Sequence, residues 1–63
     1  MKRYNVELRP HTDDGDYHEE DYEFDALQEA ISFAREKRRD FYALTDYGSE
    51  GKKYDPRDIS HKI

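Results

Sequence analysis

The chain of 63 residues contains no cysteine, and it has only three glycines and two prolines. Without cysteine it has neither a disulfide framework nor a cysteine-based zinc site, and small secreted domains usually need such staples. No apolar run approaches the roughly 20 residues that span a membrane. Residues 1–5 also lack the apolar stretch of a signal peptide. We therefore expect a cytoplasmic protein without a membrane segment.

Hydrophobic residues are also scarce, at 33%, whereas charged residues reach 43%. A chain of this length buries only about 60% of the surface that it exposes when unfolded, so its core must be small. Six tyrosines and three phenylalanines offset the high charge, because each ring buries a large area. This balance predicts one folded domain. We place the domain at residues 1–56, and residues 57–63, which follow Pro56, are expected to form a C-terminal tail.

The N-terminal part of the chain has the pattern of a β-hairpin. Residues 3–9 alternate between polar and apolar side chains, which is the period of a half-buried strand. Residues 11–16 are typical of a turn. A second strand is expected over residues 20–24, with Tyr22 and Phe24 facing the core. The two strands and the acidic loop between them form the expected hairpin.

Residues 25–38 have the strongest local pattern, that of an amphipathic helix. Asp25 is a suitable N-cap, and Gln28 completes a pair that resembles a capping box. The apolar side chains fall within an arc of roughly 160° when successive residues are placed 100° apart. Basic residues follow at the C-terminal end, where they complement the helix dipole. Propensity, periodicity and capping agree on a helix here.

Two further strands are expected after the helix. Residues 40–47 are rich in aromatic and β-branched side chains, and residues 52–55 form a short fourth strand that Pro56 ends. The order ββαβ, with this final strand, predicts an α+β fold. In it, one helix packs on one face of a small three- to four-stranded antiparallel sheet of strand order 2-1-3-4. The expected core consists of Val6, Leu8, Phe24, Leu27, Ile31, Ala34 and Leu44.

The net charge of −5 is unevenly distributed along the chain. Residues 10–34 contain nine acidic residues, and all eleven lysines and arginines lie outside this stretch. This pattern predicts a molecule polarised between an acidic hairpin and a basic helix end. The acids could simply keep a surface solvated. They could also dock on the basic groove of a larger, nucleic-acid-handling protein, helped by the tyrosines among them. The residues expected at that surface are Asp13, Asp14, Asp16, Tyr17, Glu19, Glu20 and Asp21.

Basic residues and histidines provide two other candidate sites. The basic residues could contact phosphates and make the chain a nucleic-acid-associated accessory protein, although the negative net charge opposes direct binding. That basic set is Arg35, Arg38, Arg39, Lys52 and Lys53. His11 and His18 could bind a divalent ion weakly together with neighbouring acids. Their spacing matches no metal motif, so we expect neither a metal nor another cofactor.

The sequence contains no recognisable pattern of an enzyme active site. Residues 13–16 suggest a calcium loop, but Gly15 comes too early for the EF-hand spacing. No serine lies in a strand–turn–helix elbow, and the glycines do not form a phosphate-binding loop. A catalytic pair of carboxylates needs a pocket that separates their pKa values, which a domain of this size rarely builds. We therefore expect a non-enzymatic binding module.

From Tyr22 to Leu44 the chain resembles small bacteriophage proteins that subvert a bacterial host. In layout it is most similar to the T7-type phage inhibitor of host RNA polymerase. The matching residues are Asp25, Glu29, Ala30 and Ala34, with the strand from Phe41 to Leu44. The last strand of that family carries functional arginines, whereas residues 44–46 here are not basic, so no functional residue is carried over. The resemblance implies an inhibitor or modulator that binds a larger host protein in bacterial cytoplasm.

Overall fold

A computed structural model describes residues 2–11, 18–48 and 56–63 of the chain. These residues form one sheet, one α-helix and a short 3-10 helix, and this confirms the predicted α+β class. In chain order the elements are β1 (Tyr4–Leu8), β2 (Glu20–Phe24), α1 (Leu27–Glu36), β3 (Phe41–Asp46), β4 (Arg57–Asp58) and the 3-10 helix (Ser60–Lys62).

The four strands form an antiparallel sheet in the order β2-β1-β3-β4. Val6 in β1 lies opposite Tyr22 of β2 on one side and opposite Leu44 of β3 on the other. A hairpin connection places β2 beside β1, and α1 then carries the chain across β1 to its other edge. The helix packs on one face of the sheet against β1, β2 and β3, as predicted.

The core lies between α1 and the central strands. Side chains of β1 alternate between buried and half-buried, with Tyr4, Val6 and Leu8 facing the helix. The helix contributes two buried alanines, and such small side chains let a helix lie close to a sheet. The buried residues are Tyr4, Val6, Leu8, Ala30, Ala34 and Leu44. Partly buried residues that pack around them are Phe24, Leu27, Ile31, Phe33, Phe41, Ile59 and Ile63.

The helix begins later than predicted. Asp25 was expected to be its N-cap, but Ala26 occupies that position with an extended backbone, and no side chain caps the helix. The reason is geometric, since Phe24 still belongs to β2 and the chain bends through residues 25–26 before the first helical turn. The first turn is held by the backbone bond from the Ala30 amide to the Ala26 carbonyl, at 3.2 Å.

Residues 57–63 form regular structure where the sequence predicted a tail. Arg57–Asp58 pairs with the end of β3 as β4, and the 3-10 helix follows. The amide of Ile59 donates to the Leu44 carbonyl at 2.8 Å, and the Leu44 amide donates to Ser60 Oγ at 3.0 Å. Ile59 and Ile63 pack on the core. The strand predicted at residues 52–55 lies outside the described residues.

Candidate protein-binding surface

β2 lies at one edge of the sheet. Its sequence is Glu-Asp-Tyr-Glu-Phe, and its first four side chains are exposed, whereas Phe24 is half-buried. Charged residues suit an edge strand because they discourage unwanted pairing with other sheets. The result is a row of acids, with a tyrosine among them, presented to solvent.

The side chains of β2 alternate between the face covered by α1 and the opposite, open face. Tyr22 lies opposite the buried Val6, so Tyr22 is on the helix side, and by alternation so is Glu20. Asp21 and Glu23 therefore lie on the open face. The acids of β2 are thus available on both sides of the same sheet edge.

An aromatic cluster joins β2 to the helix. The Phe33 ring lies 4.8 Å from the Tyr22 ring and 5.3 Å from the Phe24 ring, centroid to centroid. Tyr22 is still 39% exposed. Its hydroxyl donates a 2.9 Å hydrogen bond to Glu20 Oε1, and this bond raises the pKa of Tyr22. The phenol therefore stays neutral and amphipathic, which suits a partly exposed interface side chain.

A shallow, open groove of about 500 Å³ runs beside this cluster along α1. Phe24 and Phe33 form its apolar part, and Glu29 and Glu36 supply carboxylates. Gln28 and Ser32 complete the lining. The groove can therefore hold apolar side chains while it attracts positive charge. Its shape does not enclose a small molecule, because it opens widely to solvent.

The open face of the sheet carries a second cluster, which is built around Arg9. The guanidinium of Arg9 donates to Glu7 at 2.7 Å, approaches Glu19 at 3.4 Å and lies 3.4 Å from the centre of the Tyr42 ring. The register between β1 and β3 shifts here, and Tyr42 is the extra residue of a β-bulge. The bulge turns Tyr42 to the open face, where it is 52% exposed and stacks on the cation.

The structure brings together the described part of the predicted acidic surface. Glu19, Glu20 and Asp21 are adjacent and exposed. Glu19 pairs with Arg9, and Asp21 accepts a 3.2 Å hydrogen bond from the Asn5 amide group. The other residues expected at this surface lie outside the described residues: Asp13, Asp14, Asp16 and Tyr17.

Two members of the basic set, Arg38 and Arg39, lie at the same end of the sheet as the start of the acidic strand β2. Arg38 and Arg39 are exposed in the turn after α1. The Arg9 amide donates to the Asp40 carbonyl at 2.8 Å, which fixes this turn at the end of the sheet where β1 ends and β2 begins. Arg35 reaches the Lys62 carbonyl at 3.5 Å. Lys52 and Lys53 lie outside the described residues.

His11 and His18, the candidate metal ligands, are exposed. Within residues 2–11, 18–48 and 56–63, no three or more histidine or acidic side chains are grouped so that they could hold a metal ion. The expectation of no metal stays a prediction. Over the same ranges, no helix is long and apolar enough to cross a membrane.

Several residues of this surface have no signal in the sequence that places them there. Phe33 belongs to the apolar arc of the helix, but its contact with Tyr22 depends on how α1 sits on the sheet. Glu29 and Glu36 lie within the predicted helix, and no pattern in the sequence gives them a role in binding. The stacking of Arg9 on Tyr42 has no local signal, because it depends on a bulge between strands that are distant in sequence.

Comparison with known proteins identifies no relative: no family model, no curated protein and no solved structure matches this chain.

Proposed function

We propose that this chain is a non-enzymatic binding module that docks on a larger protein through the acidic edge strand β2. The observation that carries the proposal is the run of four exposed side chains, residues 20–23, beside a partly buried aromatic cluster. Exposed acids attract a basic surface and accelerate association. Tyr22 would add to the affinity of the complex once it has formed, because tyrosine is enriched at interfaces and contributes strongly to binding there.

The chemistry of the surface supports a basic partner. Three carboxylates lie on β2, and Glu29 and Glu36 line the adjacent groove. The resemblance of residues 22–44 to phage host-takeover proteins, which rests on the sequence pattern alone, extends the proposal to a nucleic-acid-handling host protein in bacterial cytoplasm. In that case the acidic strand would occupy a groove that otherwise receives phosphates, and the chain would act as an inhibitor or modulator.

The proposal is tested by capturing partners from bacterial lysate with two forms of the protein as bait. One is the wild type, and the other carries Glu20→Gln, Asp21→Asn and Glu23→Gln. A partner of the acidic strand should be retained by the wild type, lost from the variant and released as salt rises, because exposed charges are screened within about 8–10 Å at moderate ionic strength. The captured protein is then purified, and its association rate with each form is measured.

The matched control neutralises the three arginines of the basic set, through Arg35→Gln, Arg38→Gln and Arg39→Gln. This control should capture the same partner at nearly the wild-type association rate. If the basic variant loses the partner and the acidic variant keeps it, docking through β2 is wrong. The alternative of a nucleic-acid-associated accessory protein would then gain support, provided that the wild type also retards labelled DNA or RNA at low salt.

A further inference from the structure

The outer edge of β2 is open to pairing. Among the described residues, β2 is hydrogen-bonded to β1 alone, so its other edge presents backbone N–H and C=O groups to solvent. Such an edge can receive an extended segment from another protein, which then becomes a further strand of the sheet. Backbone bonds of this kind supply affinity, and the side chains on the two faces supply specificity.

We infer that β2 pairs with an extended segment of the partner in which basic and apolar residues alternate. This inference rests on the proposed function and adds how the partner is held. The side chains of an added strand alternate between the two faces of the sheet, as those of β2 do. Those on the open face would lie next to Asp21 and Glu23. Those on the helix side would lie next to Tyr22 and Phe24.

Charge and apolar surface therefore select different residues on the two faces. On the open face, the carboxylates of Asp21 and Glu23 favour lysine or arginine, because opposite charges on neighbouring strands stabilise a pair. On the helix side, the Tyr22, Phe24 and Phe33 rings favour aliphatic side chains. A strand with this alternation matches both faces at once.

The groove along α1 gives the apolar side chains of the added strand a place to pack. Adjacent strands lie about 4.8 Å apart, so a strand outside β2 would place its helix-side residues next to Phe24 and Phe33. The same groove is lined by Glu29 and Glu36, whose carboxylates add negative charge beside this edge of the sheet. The groove therefore adjoins the outer edge of β2, and both carry acidic side chains.

A second copy of this chain does not fit the same edge. Pairing β2 with another β2 would bring two strands together that each carry three acids among five residues. Like charges on neighbouring strands are destabilising, so the acids exclude self-pairing while they admit a basic strand. The occupant is therefore a segment of a different, basic protein.

The test uses a short, end-blocked peptide of alternating lysine and valine, titrated into the isotope-labelled protein and followed by NMR. Two further peptides have the same side chains, but one is N-methylated at every lysine and the other at every valine. In a strand, alternate residues direct their backbone groups to the same edge. Either the lysines or the valines therefore direct their N–H groups toward β2, and methylation of that set removes the hydrogen bonds. The peptide methylated at that set should bind at least about tenfold more weakly than the parent, and the other methylated peptide should bind within about twofold of the parent.

Any other pattern among the three peptides overturns strand addition. Equal binding of all three, with loss of binding in the variant that lacks the β2 charges, would leave charge-driven docking intact and remove only the backbone pairing. If no peptide binds, strand addition is wrong. If, in addition, the neutralised variant captures the same partners as the wild type, the proposed function fails with it.

A substitution in the groove provides a second readout. Ser32→Trp places a large side chain in the groove on the exposed face of α1, where folding should tolerate it. This variant should weaken the parent peptide by about tenfold, because it fills the space for aliphatic side chains. The matched control is His61→Trp in the exposed 3-10 helix after β4, at the opposite edge of the sheet, which should leave the affinity unchanged. Equal affinities for the two variants would contradict packing in the groove.

Discussion

Asp46, at the end of β3, joins that strand to Arg3, the residue just before β1. Its carboxylate receives two hydrogen bonds from the Arg3 guanidinium, at 2.8 and 3.1 Å, and a third from the Gly48 amide at 2.8 Å. Gly48 has a φ of 79°, which glycine adopts more readily than other residues, so the turn after β3 is suited to this bond. The guanidinium of Arg3 lowers the pKa of Asp46, and the Gly48 amide adds to the effect, although burial opposes it.

This arrangement predicts acid sensitivity at the β1–β3 end of the sheet. Because the folded pKa of Asp46 is lowered, its stabilising effect is complete above the ordinary carboxylate pKa and is lost as pH falls through the lowered value. Wild type should therefore exceed Asp46→Asn in free energy of unfolding at neutral pH. The excess should shrink between about pH 5 and pH 2. Urea unfolding of both proteins across this pH range measures the difference in free energy of unfolding. A difference that does not change with pH would contradict the predicted acid sensitivity.

At the scale of the elements, β4 and the 3-10 helix cover the edge of β3 that faces away from β1. The fully buried Leu44 is hydrogen-bonded to this segment through both its amide and its carbonyl. Ser60 Oγ, which accepts the Leu44 amide, also donates to the Asp58 carboxylate, and the Ser60 hydrogen bonds lower the pKa of Asp58. A short segment with few apolar residues is thus held by hydrogen bonds that begin in the core.

We expect Ser60→Ala to reduce the free energy of unfolding by about 1–3 kcal/mol, because the Leu44 amide would lose its acceptor. Deleting residues 57–63 should reduce it further, since the packing of Ile59 and Ile63 is also lost. Lys62→Ala, an exposed change in the same segment, should alter stability by less than about 0.5 kcal/mol. Urea unfolding compares the three. A deletion as stable as the wild type would show that the segment behaves as the predicted tail.

The elements that were predicted well have signals within their own residues. The alternation in β1 placed Tyr4, Val6 and Leu8 on one face, and the periodicity of α1 placed Ala34 in the core. The strand order followed from the connections, because a hairpin and a helical crossover leave few arrangements. The exposed acids at residues 19–21 were also expected, because residues 10–34 contain nine acids and no lysine or arginine.

The elements that were missed depend on contacts between distant residues. Arg57–Asp58 has no strand pattern of its own and becomes β4 only because the end of β3 is available for pairing. Asp25 has the right chemistry for an N-cap but lies too early, because the length of the bend after β2 is set by tertiary packing. The aromatic cluster likewise required the position of Phe33 above Tyr22, which no local pattern specifies.

At the scale of the whole molecule, the negative charge opposes association between copies of the chain. The chain carries a net charge of −5, and the acids of β2 add a local repulsion at the edge where copies could join. Removing the local acids should therefore expose the edge to self-pairing. The acids of β2 would then have two roles, which are exclusion of identical strands and attraction of basic ones.

This view predicts that Glu20→Gln, Asp21→Asn and Glu23→Gln together promote self-association. Sedimentation velocity should show a larger average mass for this variant than for the wild type as protein concentration increases. Asp25→Asn, Glu29→Gln and Glu36→Gln together serve as the control, because they also remove three exposed negative charges but leave β2 intact. Identical concentration dependence in the acidic variant and the wild type would remove the exclusion role.

The central position of β1 also bears on the order in which the molecule is assembled during translation. The ribosome makes β1 before the two strands that flank it, and β3 is made only after the hairpin and the helix. Until then, the strand that contributes Val6 and Leu8 to the core has at most one neighbour and no completed layer above it. The segment that organises the finished sheet is therefore the one that waits longest for its partners in the nascent chain.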